Sequence, residues 1–330
     1  MVYCIGHSII SPLGAGSAAN YEAIQSGRSG LKIHTDRFDD VEPFCASLFD
    51  EPQAFVPLCI RTIEDALAHC TSDICHLPET VFILSTTKGD NLDLLTPAQQ
   101  IARHFGNPNA PVVVSNACTS GVCAQITAQR LLEAGMYQYA VVVGCDIQTK
   151  FIVSGFQAFK ALSPAPCLPF SPERKGLNLG EAAATIIYSS EQPAGSDERL
   201  WTLETGSIHN DSNHISAPSR TGEGAYQCLI DVLRGTRPEE IALIGVHGTA
   251  TPYNDAMEQI ALERAGLQQT PISALKPYFG HTMGAAGVLE TILCAMQVTN
   301  STSYIRPSYI IKMLSGFGGV NAAIRLKIEH

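Results

Sequence analysis

The chain is predicted to be an α/β protein whose two similar halves each alternate strands with helices, the pattern of mostly parallel sheets covered by helices. Three observations predict this. Short apolar runs recur, as at Val112 to Val114, Ala140 to Gly144 and Ile241 to Val246, each of strand length. Segments with apolar residues at helical spacing lie between them. A polar stretch with Pro193 and Gly195, Gln192 to Glu198, then interrupts the alternation before it restarts. The division falls into residues 1–195 and 196–330.

In chain order, Val2 to Gly6 reads as a strand that runs into a turn at Ser11, Pro12, Leu13 and Gly14, and Ala18 to Ser26 reads as a helix. Ser29 to Pro57 is irregular. Leu58 to Cys70 places Ile60, Ile63, Ala66 and Leu67 on one helical face, Val81 to Ser85 is a strand and Pro97 to Phe105 a helix. Pro111 to Asp146 reads as strand, sharp turn, helix, strand. Its Val112 to Val114 is the kind of β-branched run found in strands buried on both faces, and Thr119 to Glu133 is helical, with Val122, Ile126, Leu131 and Leu132 at suitable spacing. A long connection containing Pro164, Pro166, Pro169 and Pro172 leads through Leu179, Gly180 and Glu181 to a strand, Ala182 to Tyr188. The second half follows as strand Leu200 to Gly206, helix Gly224 to Arg234, strand Ile241 to Val246 and helix Asn254 to Ala265. Strand Pro271 to Ala274, helix Gly284 to Gln297 and strand Ala322 to Ile328 complete it.

Composition narrows the function. A content of 45% hydrophobic and 16% charged residues is that of a soluble globular enzyme. No stretch reaches the ~18 consecutive apolar residues of a membrane span, and Met1 to Gly14 lacks a basic segment followed by an apolar one. A cytoplasmic location is expected. The eleven cysteines form no CxxC pair and match neither a zinc site nor a disulfide framework, so reduced thiols are expected and no metal. A formal charge of -10 argues against a nucleic-acid partner. The absence of a GxGxxG fingerprint argues against a dinucleotide.

Cys118 stands where a strand ends and a helix begins. A thiol there meets the positive end of the helix dipole and unpaired backbone N–H groups, which favour a thiolate nucleophile. A buried cysteine is also a common small hydrophobe, and Cys123 is read as one. Three stretches of the second half add the chemistry that decides between these. Val246 to Pro252 carries His247 out of a strand into a polar turn, with Thr249 and Thr251. Ser273 to Gly287 carries Lys276, and then His281 just ahead of a helix. Gly316 to Asn321 is a glycine-rich turn around one aromatic ring, Phe317. It is either a tight bend or a set of N–H groups able to stabilise an oxyanion. Two histidines at strand ends, in the half that lacks the cysteine, suit a site at the junction of two α/β units.

With Ala117 to Gly121, Pro169 to Arg174, Gly180-Glu181, His247 to Thr251, Lys276, Gly280-His281 and Gly316 to Gly319 in this order, the chain resembles the elongating, decarboxylating β-ketoacyl-acyl-carrier-protein synthases of the thiolase superfamily. The resemblance spans nearly the whole chain. It implies a thiolase-like fold of layered αβαβα architecture. It also implies a decarboxylative Claisen condensation between an acyl group on Cys118 and malonyl-acyl-carrier protein, in fatty-acid, polyketide or polyene synthesis. Cys118 would be the nucleophile, and its N–H and that of Phe317 the oxyanion hole. His247 and His281 would act on the malonyl thioester, and Lys276 would pair with Glu290. Thr249 and Thr251 would bind the pantetheine arm, Phe317 would gate the acyl pocket, and Gly316 and Gly318 would support it. No cofactor is implied beyond the phosphopantetheine of the carrier protein. The implied partners are that carrier protein and a second subunit, in a homodimer or a heterodimer with a related ketosynthase-like chain.

The chain departs from the family in being shorter before Cys118 and between Gly287 and Gly316, and in having Ser315 where many members have an aromatic. A thiolase would need a second cysteine near its C-terminus, but Cys294, the only one beyond Cys228, falls inside a predicted helix. Enzymes that prime synthesis would carry asparagine at the position of His281. A chain-length-factor subunit would lack Cys118. Arg61, Lys150, Lys160, Arg174 and Arg220 are the candidate basic residues for docking an acidic carrier.

Overall fold

The computed structural model describes residues 1–70, 73–192, 201–211, 213–301 and 308–328. Most of the expected boundary stretch, from residue 193 on, lies outside the described residues. The first half begins with β1 (Val2–Ser11), β2 (Gly14–Ala15), α1 (Ser17–Gln25), β3 (Lys32–His34), β4 (Phe44–Ser47) and α2 (Phe55–Leu67). It continues with β5 (Thr80–Ser85), α3 (Leu95–His104), β6 (Val112–Val114), α4 (Ser120–Glu133), β7 (Tyr139–Asp146), α5 (Lys150–Ala158), β8 (Leu179–Gly180) and β9 (Ala182–Ser189). The second half has β10 (Trp201–Asn210), α6 (Glu223–Leu233), β11 (Ile241–Gly245), α7 (Pro252–Arg264) and β12 (Ile272–Ser273). It ends with α8 (Lys276–Phe279), α9 (Ala286–Thr299), β13 (Ser308–Gly316) and β14 (Val320–Ile328).

The two halves repeat one topology. Outward from their junction, the first runs β1-β9-β7-β5-β6 and the second β10-β14-β13-β11-β12, the same succession of first, last, fourth, second and third strand. The senses agree as well: the first two pairings are antiparallel and the next two parallel in both. The halves meet edge to edge where Val2 and Tyr3 pair with Leu203 and Thr202. The large sheet is therefore mixed, with antiparallel pairings in the majority, rather than mostly parallel. The reason is that the connection from fourth to last strand in each half makes no helical crossover over the sheet, and strands joined in that way pair antiparallel.

Helices complete five layers. α2 and α3 cover the outer face of the first half with Leu58, Ile63 and Ile101, against Phe82, Leu84 and Val143. α6 and α7 cover the outer face of the second with Leu229, Val232 and Ala261, against Ile244 and Ile311. α4 and α9 lie between the halves and bury Val122, Ile126, Val288 and Ile292 against strands of both. They cross closely at two glycines, since a Cβ on Gly121 would stand 2.8 Å from the Cα of Gly287.

Several elements differ from expectation. β6 is half-buried because it is an edge strand paired only with β5, so its valine run does not mark burial on both faces. α2 starts ahead of Pro57, which sits in the first turn where no intrahelical N–H is required. The stretch expected to be irregular holds β3 and β4, which join β8 in a small second sheet. α5 and β13 were not foreseen. α5 packs Val153 and Phe156 on the small sheet beside Phe44, Leu48 and Leu179. Among the described residues, no helix is long and apolar enough to cross a membrane.

Candidate active site

Cys118 occupies the tight turn between β6 and α4. Ala117 ahead of it has φ +48°, a left-handed conformation that costs about 1–2 kcal/mol for a residue with a side chain. Local hydrogen bonds hold it there. Thr119 Oγ1 donates to Asn116 O at 2.7 Å, Ser120 Oγ donates to Ala117 O at 2.5 Å, and Asn116 N–H donates to Ser120 Oγ at 2.8 Å. Gly316 lies against the same turn, where a Cβ would stand 3.2 Å from Cys118 N. This approach sets the Phe317 N–H, together with that of Cys118 itself, to stabilise charge on the thiol sulfur.

The histidines come from the other half. β11 delivers His247, and Glu258 of α7 pins its backbone by accepting the N–H groups of His247 at 2.6 Å and Gly248 at 2.7 Å. His281 follows α8. Its N–H donates to Asn178 O at 2.6 Å and its carbonyl accepts from Gly180 N–H at 3.0 Å. Gly280 is required beside it, because a Cβ there would stand 2.1 Å from Leu179 O. As a result His281 Nε2 lies 3.0 Å from Cys118 Sγ, and the two imidazoles meet edge to face with centroids 5.1 Å apart. One ligating atom from each of Cys118, His247 and His281 falls within 4.8 Å of the others.

Lys276 stands behind the histidines rather than on the cavity wall. Its Nζ donates to His247 O at 2.5 Å and to Glu290 Oε1 at 2.9 Å. The pair implied by the resemblance is thus formed. Glu290 has a second cation as well, Lys312, whose Nζ is 2.7 Å from Oε2. Burial alone would raise the Glu290 carboxyl, but Lys276 and Lys312 together hold it below its ordinary 4.5.

Burial decides the resting protonation of the site. It pushes the Cys118 thiol up to about 11, against the pull of Lys276 and the two backbone N–H groups. The backbone N–H groups at this turn pull the thiol down, in the direction the sequence suggests, and burial outweighs them. Burial and then Lys276 bring His281 down to about 3, and the same causes hold His247 well below 6.5. At neutral pH the resting pair is a thiol and a neutral imidazole. Three N and S donors so close can in principle hold a metal, but the buried ammonium of Lys276 repels a second cation from the same space.

These groups open on a cavity of about 440 Å³ bordered by Cys118, His247, His281, Thr249, Thr251 and Phe317. The hydroxyls of Thr249 and Thr251 are 2.8 Å apart. Phe317 is 41% exposed and packs against Phe156 and Phe159, each with its centroid 6.0 Å away. Gly318 has φ +86° and its N–H donates to Ile215 O at 2.7 Å, so it shapes the turn from outside the cavity wall. Of the basic candidates, Lys160 borders the cavity, with Lys175, which sequence reasoning passed over. Lys150 pairs with Asp40 at 3.3 Å, Arg61 lies on the outer helix α2, and Arg174 is spent on Ser171 O at 2.8 Å and Pro252 O at 3.4 Å. Arg220 is exposed and does not border the cavity.

Two family models match in succession: the N-terminal domain of beta-ketoacyl synthase over residues 90–194 and the C-terminal domain over residues 202–308. The chain belongs to the β-ketoacyl synthase family. Among its relatives, nodulation protein E of Rhizobium meliloti is 32% identical over 209 residues, covering 61% of this chain and 52% of that protein. The 3-oxoacyl-[acyl-carrier-protein] synthase 2 of Rhizobium meliloti (strain 1021) is 31% identical over 223 residues, 63% of this chain and 52% of that one. This chain thus spans about half the length of these relatives. Two solved structures share the fold over nearly the whole of both chains. The ketosynthase ApeO in complex with its chain length factor ApeC, from Xenorhabdus doucetiae, gives a TM-score of 0.86 at 23% identity, covering 99% of this chain and 98% of that chain. The ishigamide ketosynthase/chain length factor gives 0.87 at 22%, covering 100% and 99%. The thiolase-like architecture is therefore that of the family.

In this β-ketoacyl synthase chain, the structure adds residues that the sequence reading missed. Lys312 is the clearest, a charged residue within the apolar run Tyr309 to Leu314, and that interruption was its signal. Asp146 closes an apolar strand and accepts the N–H groups of Thr87 and Gly284. This ties the end of β7 to the segment after His281. Phe156 and Phe159 went unnoticed because α5 did.

Proposed function

We propose that the protein is a 3-oxoacyl-[acyl-carrier-protein] synthase that joins an acyl group held on Cys118 to a malonyl unit carried by acyl-carrier protein. The observation that supports this best is the convergence of Cys118 Sγ, His281 Nε2 and the His247 ring at one cavity. His281 Nε2 is placed to take the thiol proton as sulfur attacks the incoming thioester and to return it to the departing pantetheine sulfur. The N–H groups of Cys118 and Phe317 receive the oxyanion. With the sulfur acylated and its proton carried off on the pantetheine thiol, both imidazoles are neutral, and His281, in the tautomer with its proton on Nε2, donates with His247 to the carbonyl oxygen of a malonyl thioester. The bond to the carboxylate breaks, carbon dioxide leaves, and the electron pair stays as an enolate. The enolate carbon attacks the acyl carbon, the bond to Cys118 breaks, the sulfur leaves as a thiolate that takes up one proton from solvent to restore the thiol, and a β-ketoacyl thioester two carbons longer departs. The electrons come from the broken carbon–carbon bond, so the scheme asks for no metal or resident cofactor beyond the phosphopantetheine arm.

In this reading Thr249 and Thr251 bind the arm, Phe317 gates the pocket, and Gly316 and Gly318 shape its turn. Residues 1–195 supply the nucleophile and residues 196–330 the histidines. The acidic carrier docks near Lys160 and Lys175, and the eleven free thiols suit a cytoplasmic setting. The chain works as a homodimer or, as a second reading, only beside a chain-length-factor-type subunit. That second reading is favoured by likeness to ketosynthase and chain length factor pairs. Intact-mass spectrometry with a panel of acyl-carrier proteins tests both. Acylation that adds to Cys118 supports the reaction class, and no acylation, alone or with a co-expressed partner, rejects it.

A further inference from the structure

Lys312 presents an unusual arrangement for a lysine. It lies in β13 between Ile311 and Met313 and is 0% exposed. Its Nζ donates to the carbonyls of Gly245 at 3.1 Å, Val246 at 3.0 Å and Met313 at 3.1 Å, and pairs with Glu290. Gly245 and Val246 are the last two residues before His247. Space for the lysine has been made in the backbone, since a Cβ on Gly245 would stand 2.9 Å from Lys312 Cδ and 2.6 Å from Cys294 Sγ. The stem thus passes where a side chain on β11 would be.

A buried ammonium is costly unless it is paired and fully hydrogen-bonded. Glu290 already has Lys276, so one carboxylate pairs with two lysines. An apolar residue would fill the place with less penalty. What the lysine adds is grip on the chain that carries His247. Lys312 holds the carbonyls of residues 245 and 246, Lys276 holds that of residue 247, and Glu290 joins the two ammoniums.

We propose that Lys312 is a positioning residue for the histidine pair, fixing the end of β11 that presents His247 through its grip on Gly245 and Val246 and its shared hold on Glu290. For condensation this rests on the ketosynthase reading. The charged and titratable groups around it are Glu290 and Cys294 of α9, Lys276 of α8, Glu258 of α7, and His247 and His281 themselves. Removal of a cation beside a histidine makes protonation easier, so its titration moves to higher pH.

Two readouts on the full chain test this. In Lys312→Met, kcat for release of carbon dioxide from malonyl-carrier protein is expected to fall about tenfold or more, the scale of a small misplacement of a reacting group. KM should stay within about twofold, and acylation of Cys118, which uses His281 rather than His247, should fall less than decarboxylation does. Independently of any activity, the side-chain 15N signals of His247 and His281 should titrate at higher pH than in the wild type. Lys312→Arg, which keeps the charge, should leave these titrations near the wild type. The double variant Lys312→Met/Glu290→Gln should lose less decarboxylation than the product of the two single losses, because both act through one linkage. Unmoved histidine titrations together with an unchanged kcat, or equal losses in acylation and decarboxylation matched by loss of folded protein, would overturn the proposal. If the wild type neither acylates nor decarboxylates, the ketosynthase reading fails, and the histidine titrations alone still decide the role of Lys312.

Discussion

Cys118 Sγ and His281 Nε2 lie 3.0 Å apart although 163 residues separate them in the chain. The close crossing of α4 and α9 makes this possible. Cys118 precedes α4 in the first half, His281 precedes α9 in the second, and Gly121 and Gly287 let the two helices approach with their starts side by side. The site depends on a backbone contact as much as on its reactive groups.

The first prediction concerns that contact. An alanine at Gly287 would put its Cβ 2.4 Å from the backbone N of Val122, and no rotamer change relieves a clash with backbone. The better helix propensity of alanine, worth about 1 kcal/mol, does not offset an overpacking cost of about 1–3 kcal/mol at so short a distance. Gly287→Ala should lower the urea midpoint and slow acylation of Cys118. Wild-type values for both would show that the helices can separate freely.

The resting state of the thiol gives the second. With burial holding Cys118 near 11, alkylation by iodoacetamide should keep accelerating above pH 9, where an ordinary thiol levels off. Since Lys276 pulls the thiol down, Lys276→Met should slow the reaction at a given pH. Mass-spectrometric counting of the Cys118 peptide measures both. A plateau already reached by pH 7 would mean a thiolate–imidazolium pair instead.

Glu290 carries the third. Its two ammonium partners hold its carboxyl below 4.5 in the fold. An unfolded-state value near 4.5 and a lower folded one mean that its contribution to stability is full above 4.5 and is lost as pH falls through the folded value. Glu290→Gln leaves two buried ammoniums without their carboxylate and should cost about 3–5 kcal/mol near neutral pH. It should also flatten the acid side of the stability curve. Denaturation at pH 7 and at a series of pH values stepping down from 4.5 shows whether the two proteins converge on acidification as this requires.

The sequence made much of this visible because the signals were local. Apolar runs of strand length, a cysteine before a helical pattern, and histidines leaving strands are features of a few neighbouring residues. The resemblance then gathered them into one site and gave Lys276 its partner. What stayed hidden depends on topology. The edge position of β6 left Val112 to Val114 half-buried, which no valine run can reveal. Lys312 reads as a solvent-facing charge until β13 is placed beside β11 with Gly245 opposite it. The thiol of Cys118 looks acidic from its helix start, and only the depth of the site shows that desolvation wins.

Docking gives the fourth prediction. The chain has a formal charge of -10, so the acidic carrier proposed as its partner must be met by local cations. Lys160 and Lys175 are those that border the cavity. Affinity for acyl-carrier protein should fall as salt is added, and Lys160→Glu/Lys175→Glu should weaken binding and flatten that dependence. A salt-independent Kd in the wild type would mean that docking is driven by apolar contacts instead.

The last prediction separates the two half-reactions. In the proposed reaction, acyl transfer requires the sulfur of Cys118, whereas loss of carbon dioxide from the malonyl unit requires only imidazole hydrogen bonds to a thioester carbonyl. Cys118→Gln should therefore abolish condensation. Decarboxylation should survive or rise, because the glutamine amide can occupy the oxyanion position and imitate the acylated cysteine. His281→Ala removes a preorganised donor 3.0 Å from the sulfur and should slow decarboxylation about 10²-fold or more, while some acylation of Cys118 persists. Carbon dioxide released from labelled malonyl-carrier protein, counted beside the intact mass of each variant, measures the two steps separately. If both variants remain folded and lose both activities to the same extent, thiol and imidazole do not divide the work, and the site acts as one unit in each step.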